Sequence, residues 1–177
     1  MKAILTFDGK TVEVEIAEDE ARKIFGEPKT GWERMDKGVC YYTLLNVSGL
    51  TVGSREEMDL GADIATYRHG IYFSDPDLAK DQARAISLWL RIKRWAAEHC
   101  EPVAWQPGDD GWEYKYGIMW SLTDMSGERR IRPAIQDSTR QFGNVYFDTE
   151  EHAKQCIEEF RDDLLWYFTE CHDRIDG

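Results

Sequence analysis

An internal repeat is the feature that most constrains the fold of this chain. A glycine, a short aromatic strand and then a long helical pattern occur at Gly70 and again at Gly143. One constant offset, which places position 72 on position 146, superimposes identical residues in these two stretches. The pairs are Tyr72 with Tyr146, Phe73 with Phe147, Ala79 with Ala153, Lys80 with Lys154, and Leu90 with Leu164. Upstream, Gly-Trp-Glu at 31 and at 111 is followed each time by a glycine and by an aromatic-rich strand that ends in Ser-Gly.

The start of each long helix carries the same type of signal. Ser74 and Asp148 occupy the positions where an N-cap acceptor is needed, and Asp77 and Glu151 follow at the third helical position. Glu151 suits a capping box in particular. The repeat therefore recurs at positions with structural roles, which indicates a duplicated unit.

The predicted fold class is α+β, with two tandem units that each consist of a small antiparallel sheet and one helix. The units are predicted over 31–103 and 104–177, and because sheets this small rarely stand alone, we expect them to share a core. An N-terminal segment, 1–30, should form a β-hairpin around the Asp8-Gly9 turn, followed by a short helix from about Glu18 to Phe25.

The charge balance restricts the partners that the chain can bind. It carries 34 acidic and 22 basic residues, for a net charge of −12. This argues against direct nucleic-acid binding, which requires cations to neutralise phosphates, and it favours either a basic protein partner or simply solubility.

The cysteines and the apolar runs indicate the cellular compartment of the protein. The four cysteines are widely spaced without a CxxC pair, and no signal peptide is recognisable, so the sequence predicts reduced thiols and a cytoplasmic protein. The apolar runs are far shorter than the roughly 20 residues that a membrane span requires.

The C-terminal helix is predicted to have one apolar face and one acidic face. At about 100° per residue, the apolar side chains fall within one arc, which should face the core. The opposite arc is anionic and holds Trp166 at its centre. We predict that it binds a partner through Glu151, Glu158, Glu159, Asp162, Asp163, Trp166 and Glu170. Trp166 has two interpretations, since it could instead be covered by another part of the same chain.

The first long helix, from about Asp75 to His99, is apolar on two sides. Ala79, Ala83, Ile86 and Leu90 repeat the core arc. Leu88, Ile92 and Trp95 lie on the side that is acidic in the C-terminal helix. This pattern predicts a central helix that packs against its own sheet and against either another element or a second copy of the chain, so that both a monomer and a homodimer are open.

Two patterns resemble sites for chemistry. His99-Cys100 and Cys171-His172 could be imagined as a zinc site, but their spacing matches no standard ligand pattern, so no metal or other cofactor is predicted. Asp110, Glu113 and Lys115 resemble part of a metal-dependent nuclease core, yet the acids lie in a glycine-rich turn instead of on a separate strand. No nucleotide-binding, protease or hydrolase motif is present, and the chain is predicted not to be an enzyme.

The junction from strand to helix resembles known sequences. Gly143, Phe147, Thr149, Glu151 and Ala153 are similar to the glycine, aromatic strand, Phe-x-Thr, acid and alanine pattern of many short bacteriophage and prophage proteins. It is more distantly similar to the three-strand-and-helix domains of mobile-element integrases, which bind DNA through basic strands that this acidic chain does not share. In profile the chain is similar to anti-CRISPR proteins, several of which place carboxylates in the basic channel of a Cas nuclease.

This resemblance implies a non-enzymatic inhibitor that blocks a basic nucleic-acid-binding surface of a host CRISPR-Cas effector, such as Cas9, by charge mimicry. Two alternatives remain open. One is a small metal-dependent nuclease or hydrolase that uses Asp110, Glu113 and Lys115, and the other is a structural or assembly module that dimerises through Leu88, Ile92 and Trp95.

Overall fold

A computed structural model describes residues 2–7, 10–15, 30–46, 49–102, 115–122, 129–136 and 143–171. It confirms the predicted α+β class, with small antiparallel sheets and helices in each half of the chain. The N-terminal hairpin is present as β1 (Lys2–Phe7) and β2 (Lys10–Glu15), which pair antiparallel. The short helix predicted from Glu18 to Phe25 lies outside the described residues.

The first unit contains a three-stranded sheet in the order β4-β3-β5. Its strands are β3 (Cys40–Asn46), β4 (Leu50–Glu56) and the two-residue β5 (Tyr72–Phe73). A helix that the repeat does not predict, α1 (Gly61–Arg68), is inserted between β4 and β5. The long helix α2 (Pro76–His99) follows β5 and packs against this sheet.

The second unit repeats this plan with a longer hairpin. It contains β6 (Lys115–Leu122) and β7 (Arg129–Gln136), followed by α3 (Glu150–Glu159), α4 (Arg161–Trp166) and a π-helical turn (Tyr167–Cys171). Phe147 pairs with Tyr116 as an isolated antiparallel bridge, in the place where Phe73 pairs with Tyr42. Both partners are displaced by the same constant offset (42 to 116 and 73 to 147), so the offset read from the sequence also describes the strand pairing.

That register corrects one part of the alignment. The sequence repeat makes Gly38 and Gly117 equivalent, but Gly38 precedes β3 with a φ of +88°, whereas Gly117 lies inside β6. The aromatic residues therefore define the register better than this glycine does. The Gly-Trp-Glu motif at 111 lies outside the described residues, and the predicted unit boundaries stay predictions.

The N-caps lie one residue beyond the predicted positions. The Asp75 carboxylate accepts from the backbone N–H groups of Asp77 and Leu78, and the Thr149 hydroxyl accepts from His152 N–H. Asp75 and Thr149 are themselves related by the offset of the repeat, so the equivalence holds although Ser74 and Asp148 are not the caps. Those two side chains make tertiary contacts instead, and the Ser74 hydroxyl donates to Glu33 at 2.8 Å.

Helix α2 belongs to both cores, as its two apolar sides predict. Its first turn places Leu78 and Ala79 against Phe73 in the first unit. Further along, a second group of apolar side chains packs into the core of the second unit. This group comprises Leu88, Ile92 and Ala96, with Trp95 half-buried beside them.

The position of α2 shows whether its second apolar side packs against another element of the same chain or is left for a second copy. The second apolar side of α2 faces another element of the same chain, so Leu88 and Ile92 are buried within the molecule and cannot form the predicted dimer surface. The assignment of Leu90 to the core is wrong, because its side chain is 52% exposed. Leu164, its partner in the repeat, is buried in the second core.

The C-terminal helix is not continuous, contrary to the prediction. Phe160 adopts φ −111° and ψ 20°, which separates α3 from α4. The helical hydrogen bonds from Phe160 N–H to Cys156 and from Leu164 N–H to Phe160 persist on either side of the break. The predicted apolar arc is buried or half-buried along its whole length despite the break.

Candidate functional site

Five of the predicted partner-binding residues form an exposed acidic surface on α3, α4 and the π-helical turn. We define the acidic surface as Glu151, Glu158, Glu159, Asp162 and Glu170, all of which are exposed. Helical periodicity places them opposite the buried arc that contacts the second sheet and α2. The backbone that carries them is thus anchored to the core of the second unit.

Some charge on this part of the chain is neutralised locally. Arg161 forms an ion pair with Glu158, and Lys154 pairs with Glu150 at 2.7 Å. Glu159 and Asp162, by contrast, have no ion pair within the described ranges of the chain. The acidic surface therefore keeps carboxylates that are available to a cationic partner.

Asp163 does not belong to this exposed set. Its two carboxylate oxygens accept hydrogen bonds from Arg84 at 2.9 Å and Arg91 at 2.8 Å, both on α2. The hydrogen bond from Arg84, together with that from Arg91, lowers the pKa of Asp163 below its ordinary value. Because these ion pairs link α4 to α2, Asp163 has a structural role.

The structure also corrects the assignment of Trp166 as a partner anchor. Its side chain is only 8% exposed, and the Arg84 guanidinium lies 3.8 Å from the centre of its ring. Helix α2 supplies the cover because its arginines reach across to α4. The intramolecular alternative is therefore the one observed, and the neighbouring Leu165 is the exposed apolar residue of α4.

A buried network of tyrosines and carboxylates occurs in the first unit, where no site was predicted. Tyr41 and Tyr72 stack with ring centroids 4.0 Å apart. The Tyr72 hydroxyl donates to Glu57 at 3.0 Å, and the Tyr41 hydroxyl donates to Asp63 at 2.9 Å. Burial, and then the neighbouring Glu57 carboxylate, raise the pKa of Tyr72 to about 12.

This network connects the segment before β3, the residues after β4 and helix α1 to the first sheet. The Glu57 side chain is fully buried and accepts from Arg34 at 3.0 Å, and Asp63 also accepts from the backbone N–H groups of Met58 and Leu60. The hydrogen bond from Arg34 lowers the pKa of Glu57. Since Arg34 and Glu57 are far apart in sequence, no spacing rule could identify the pair. The polar groups of this network form hydrogen bonds with one another, which fits a structural role.

A second unpredicted cluster lies where the end of α2 meets the start of α3. Cys100, Asp148 and His152 each place one potential ligand atom within 4.8 Å of the others, and all three side chains are partly buried. His152 Nδ1 lies 2.6 Å from Asp148 Oδ1, and the backbone N–H of Glu101 donates to Asp148 Oδ2 at 3.0 Å. In the part of the chain that the structure describes, no other trio of such residues is brought together.

The environment of Cys100 determines what this cluster can do. Burial, reinforced by the negative charge of Asp148, raises the pKa of the Cys100 thiol to about 11. A thiol with a raised pKa is a poor nucleophile at neutral pH. The four cysteines of the chain are all free, and the cluster brings Cys100 together with Asp148 and His152. His172, a member of the imagined zinc site, lies outside the described residues.

The residues of the alternative nuclease hypothesis give it no support. Asp110 and Glu113 lie outside the described residues. Lys115 is described, and its side chain is buried in β6.

Comparison of the chain with protein-family models, with curated proteins and with solved structures finds no match. Among the described residues, no helix is both long enough and apolar enough to cross a membrane.

Proposed function

We propose that this protein is a non-enzymatic inhibitor that uses its acidic surface to occupy a basic nucleic-acid-binding surface of a partner protein. The partner class that we propose is a CRISPR-Cas effector such as Cas9, in keeping with the phage-type profile of the sequence. The observation that carries the proposal is the segregation of exposed carboxylates on the face of α3 and α4 that is opposite the core.

Charge density supports mimicry of a nucleic acid. Along a helix with a rise of about 1.5 Å per residue, the carboxylates of one row recur roughly every 6–11 Å. Duplex DNA carries about one charge per 1.7 Å of axis, so the surface is sparser than DNA but has the same sign. A net charge of −12 adds long-range attraction to any cationic channel.

Rigidity supports the same proposal. Asp163 fixes α4 to α2 through Arg84 and Arg91, and Trp166 packs beneath Arg84. The backbone that carries the carboxylates is therefore held in place before a partner arrives, which reduces the ordering entropy that binding costs.

The experiment is a binding measurement between the purified protein and guide-loaded Cas9, with DNA cleavage as a second readout. The test variant reverses charge at Glu151, Glu159 and Asp162, each to Lys. Asp163 is left intact because its reversal would break the contact between α4 and α2. A matched control reverses Asp36, Glu56 and Glu98, which are exposed elsewhere in the described chain and change the net charge by the same amount.

We expect the test variant to bind at least about tenfold more weakly. Each exposed ion pair contributes about 0.2–1 kcal/mol, and each reversal replaces attraction by repulsion. Binding should weaken steeply with salt, and duplex DNA should displace the protein. Equal weakening in test and control variants would assign the effect to net charge alone. Tight binding that survives the test substitutions would refute the role of the acidic surface, and absence of binding to Cas9 would refute that partner.

A further inference from the structure

We propose that Cys100, Asp148 and His152 form a zinc-binding site that joins the C-terminal end of α2 to the N-terminal end of α3. The site is independent of the acidic surface, because none of its three residues belongs to that surface.

The three donor types suit zinc. Zinc is bound in proteins by cysteine thiolate, imidazole nitrogen and carboxylate oxygen, most often with four ligands in a tetrahedron. A soft thiolate favours zinc over magnesium and calcium, which prefer oxygen ligands alone. With three side-chain ligands, the fourth position is left for water, since the cluster is only partly buried.

The geometry needs only a small adjustment. Zinc–ligand distances of about 2.0–2.1 Å place two tetrahedral N and O ligands roughly 3.3 Å apart. His152 Nδ1 and Asp148 Oδ1 are now 2.6 Å apart, and the widest separation in the trio is at most 4.8 Å. Zinc binding would require side-chain rotations that lengthen the first of these distances and shorten the widest one.

The backbone already holds the ligands in place. Cys100 is the C-cap of α2, with its N–H bonded to Ala96 O at 2.9 Å. His152 lies in the first turn of α3, where its N–H is bonded to the Thr149 cap. Glu101 N–H orients the second oxygen of Asp148, as outer partners of metal ligands commonly do.

Binding exchanges protons for the metal. The Cys100 thiol loses its proton to solvent and the thiolate bonds to zinc. His152 binds through Nδ1 as neutral imidazole with its ring proton on Nε2, and Asp148 binds as carboxylate. Zinc affinity should therefore fall as the pH is lowered.

The test uses Zn²⁺ titration of the full chain by calorimetry and Co²⁺ as a spectroscopic probe. We expect one zinc per chain, and a thiolate-to-cobalt charge-transfer band in the near ultraviolet. At a free zinc concentration 100 times Kd, the melting temperature should rise by about 5–10 °C. Cys100→Ser should abolish the charge-transfer band, and His152→Ala should weaken zinc binding at least about tenfold.

Cys40→Ser is the matched control, because Cys40 is an exposed thiol at the start of β3. The control should retain the cobalt band and the zinc stoichiometry. A band that persists in Cys100→Ser, or zinc binding that is unchanged in His152→Ala, would show that the metal binds elsewhere. Absence of zinc binding to the wild-type chain would also overturn the proposal. Circular dichroism of each variant establishes that the fold is retained, and Cys100→Ala supplies a second test if Cys100→Ser does not fold.

Discussion

The burial of Trp166 leads to a prediction that separates a structural role from a binding role. Substitution of Trp166 by Ala removes a large side chain that is only 8% exposed and that packs beneath Arg84. Truncation of a buried tryptophan costs about 3–5 kcal/mol, because apolar burial is lost and a cavity remains. For a chain of this size, each 1 kcal/mol lowers the melting temperature by about 2–4 °C, so the expected loss is roughly 6–20 °C.

The adjacent residue provides the control. Leu165 is 45% exposed, although it lies on the same short helix, so Leu165→Ala should change the free energy of unfolding by no more than about 0.5 kcal/mol. Urea denaturation followed by circular dichroism measures both variants without relying on tryptophan fluorescence, which Trp166→Ala would itself alter.

Two results would refute the reasoning. If Trp166→Ala lowered the unfolding free energy by less than about 1 kcal/mol, the side chain could not be a core residue of the kind described. If the variant remained stable but lost its partner, Trp166 would be an anchor after all. The burial of Trp166 predicts the reverse, with stability lost. Partner contacts are assigned to the carboxylates by the proposed function.

Two further predictions concern helix α2 and its contacts. Asp163→Asn should lower the unfolding free energy at pH 7 by about 1.5–3 kcal/mol, because hydrogen bonds from two arginines to a carboxylate are weakened. Since the pKa of Asp163 is lowered in the folded state, its contribution is present above the unfolded-state pKa of about 3.9 and is lost as the pH falls through the folded-state value. The stability difference between wild type and Asp163→Asn, measured by urea denaturation from pH 7 to pH 2, should therefore shrink at acidic pH, and a difference independent of pH would contradict this. Ile92→Ala should cost about 2–5 kcal/mol by urea denaturation because Ile92 lies in the second core, whereas the exposed Leu90→Ala should be nearly neutral; equal losses would contradict the observed phase of α2.

The repeated elements of the fold could be predicted from the sequence because their signals are local. The aromatic pairs around Phe73 and Phe147, and the polar residues just after them, identify the strand, the cap and the start of the helix in both units. The predicted caps are one residue too early, since Ser74 and Asp75 are both good N-cap residues and only the backbone geometry distinguishes them. Helix α1 is not predicted because its flanking Leu60 and His69 carry no typical cap signal and its residues lack a clear apolar face.

The candidate sites depended on contacts that no local pattern contains. Periodicity places Trp166 on the acidic face, but its burial depends on Arg84, which belongs to the helix of the other unit and lies far earlier in the chain. Cys100 and His152 are similarly remote in sequence, and they meet only because the end of α2 packs near the start of α3. Helical phase therefore predicts which side chains face away from their own sheet, whereas tertiary packing determines which of them remain exposed.

The sharing of α2 also explains why the two copies differ in surface character. In the first unit, the helix has a neighbour on each side, so its second face is apolar at Leu88 and Ile92. In the second unit, α2 covers the corresponding face at Asp163 and Trp166, where its arginines contact α4. Carboxylates such as Glu159 and Asp162 lie beyond that contact and carry no packing constraint. Substitutions there should change binding without changing stability, whereas substitutions at Asp163 or Trp166 should change stability first.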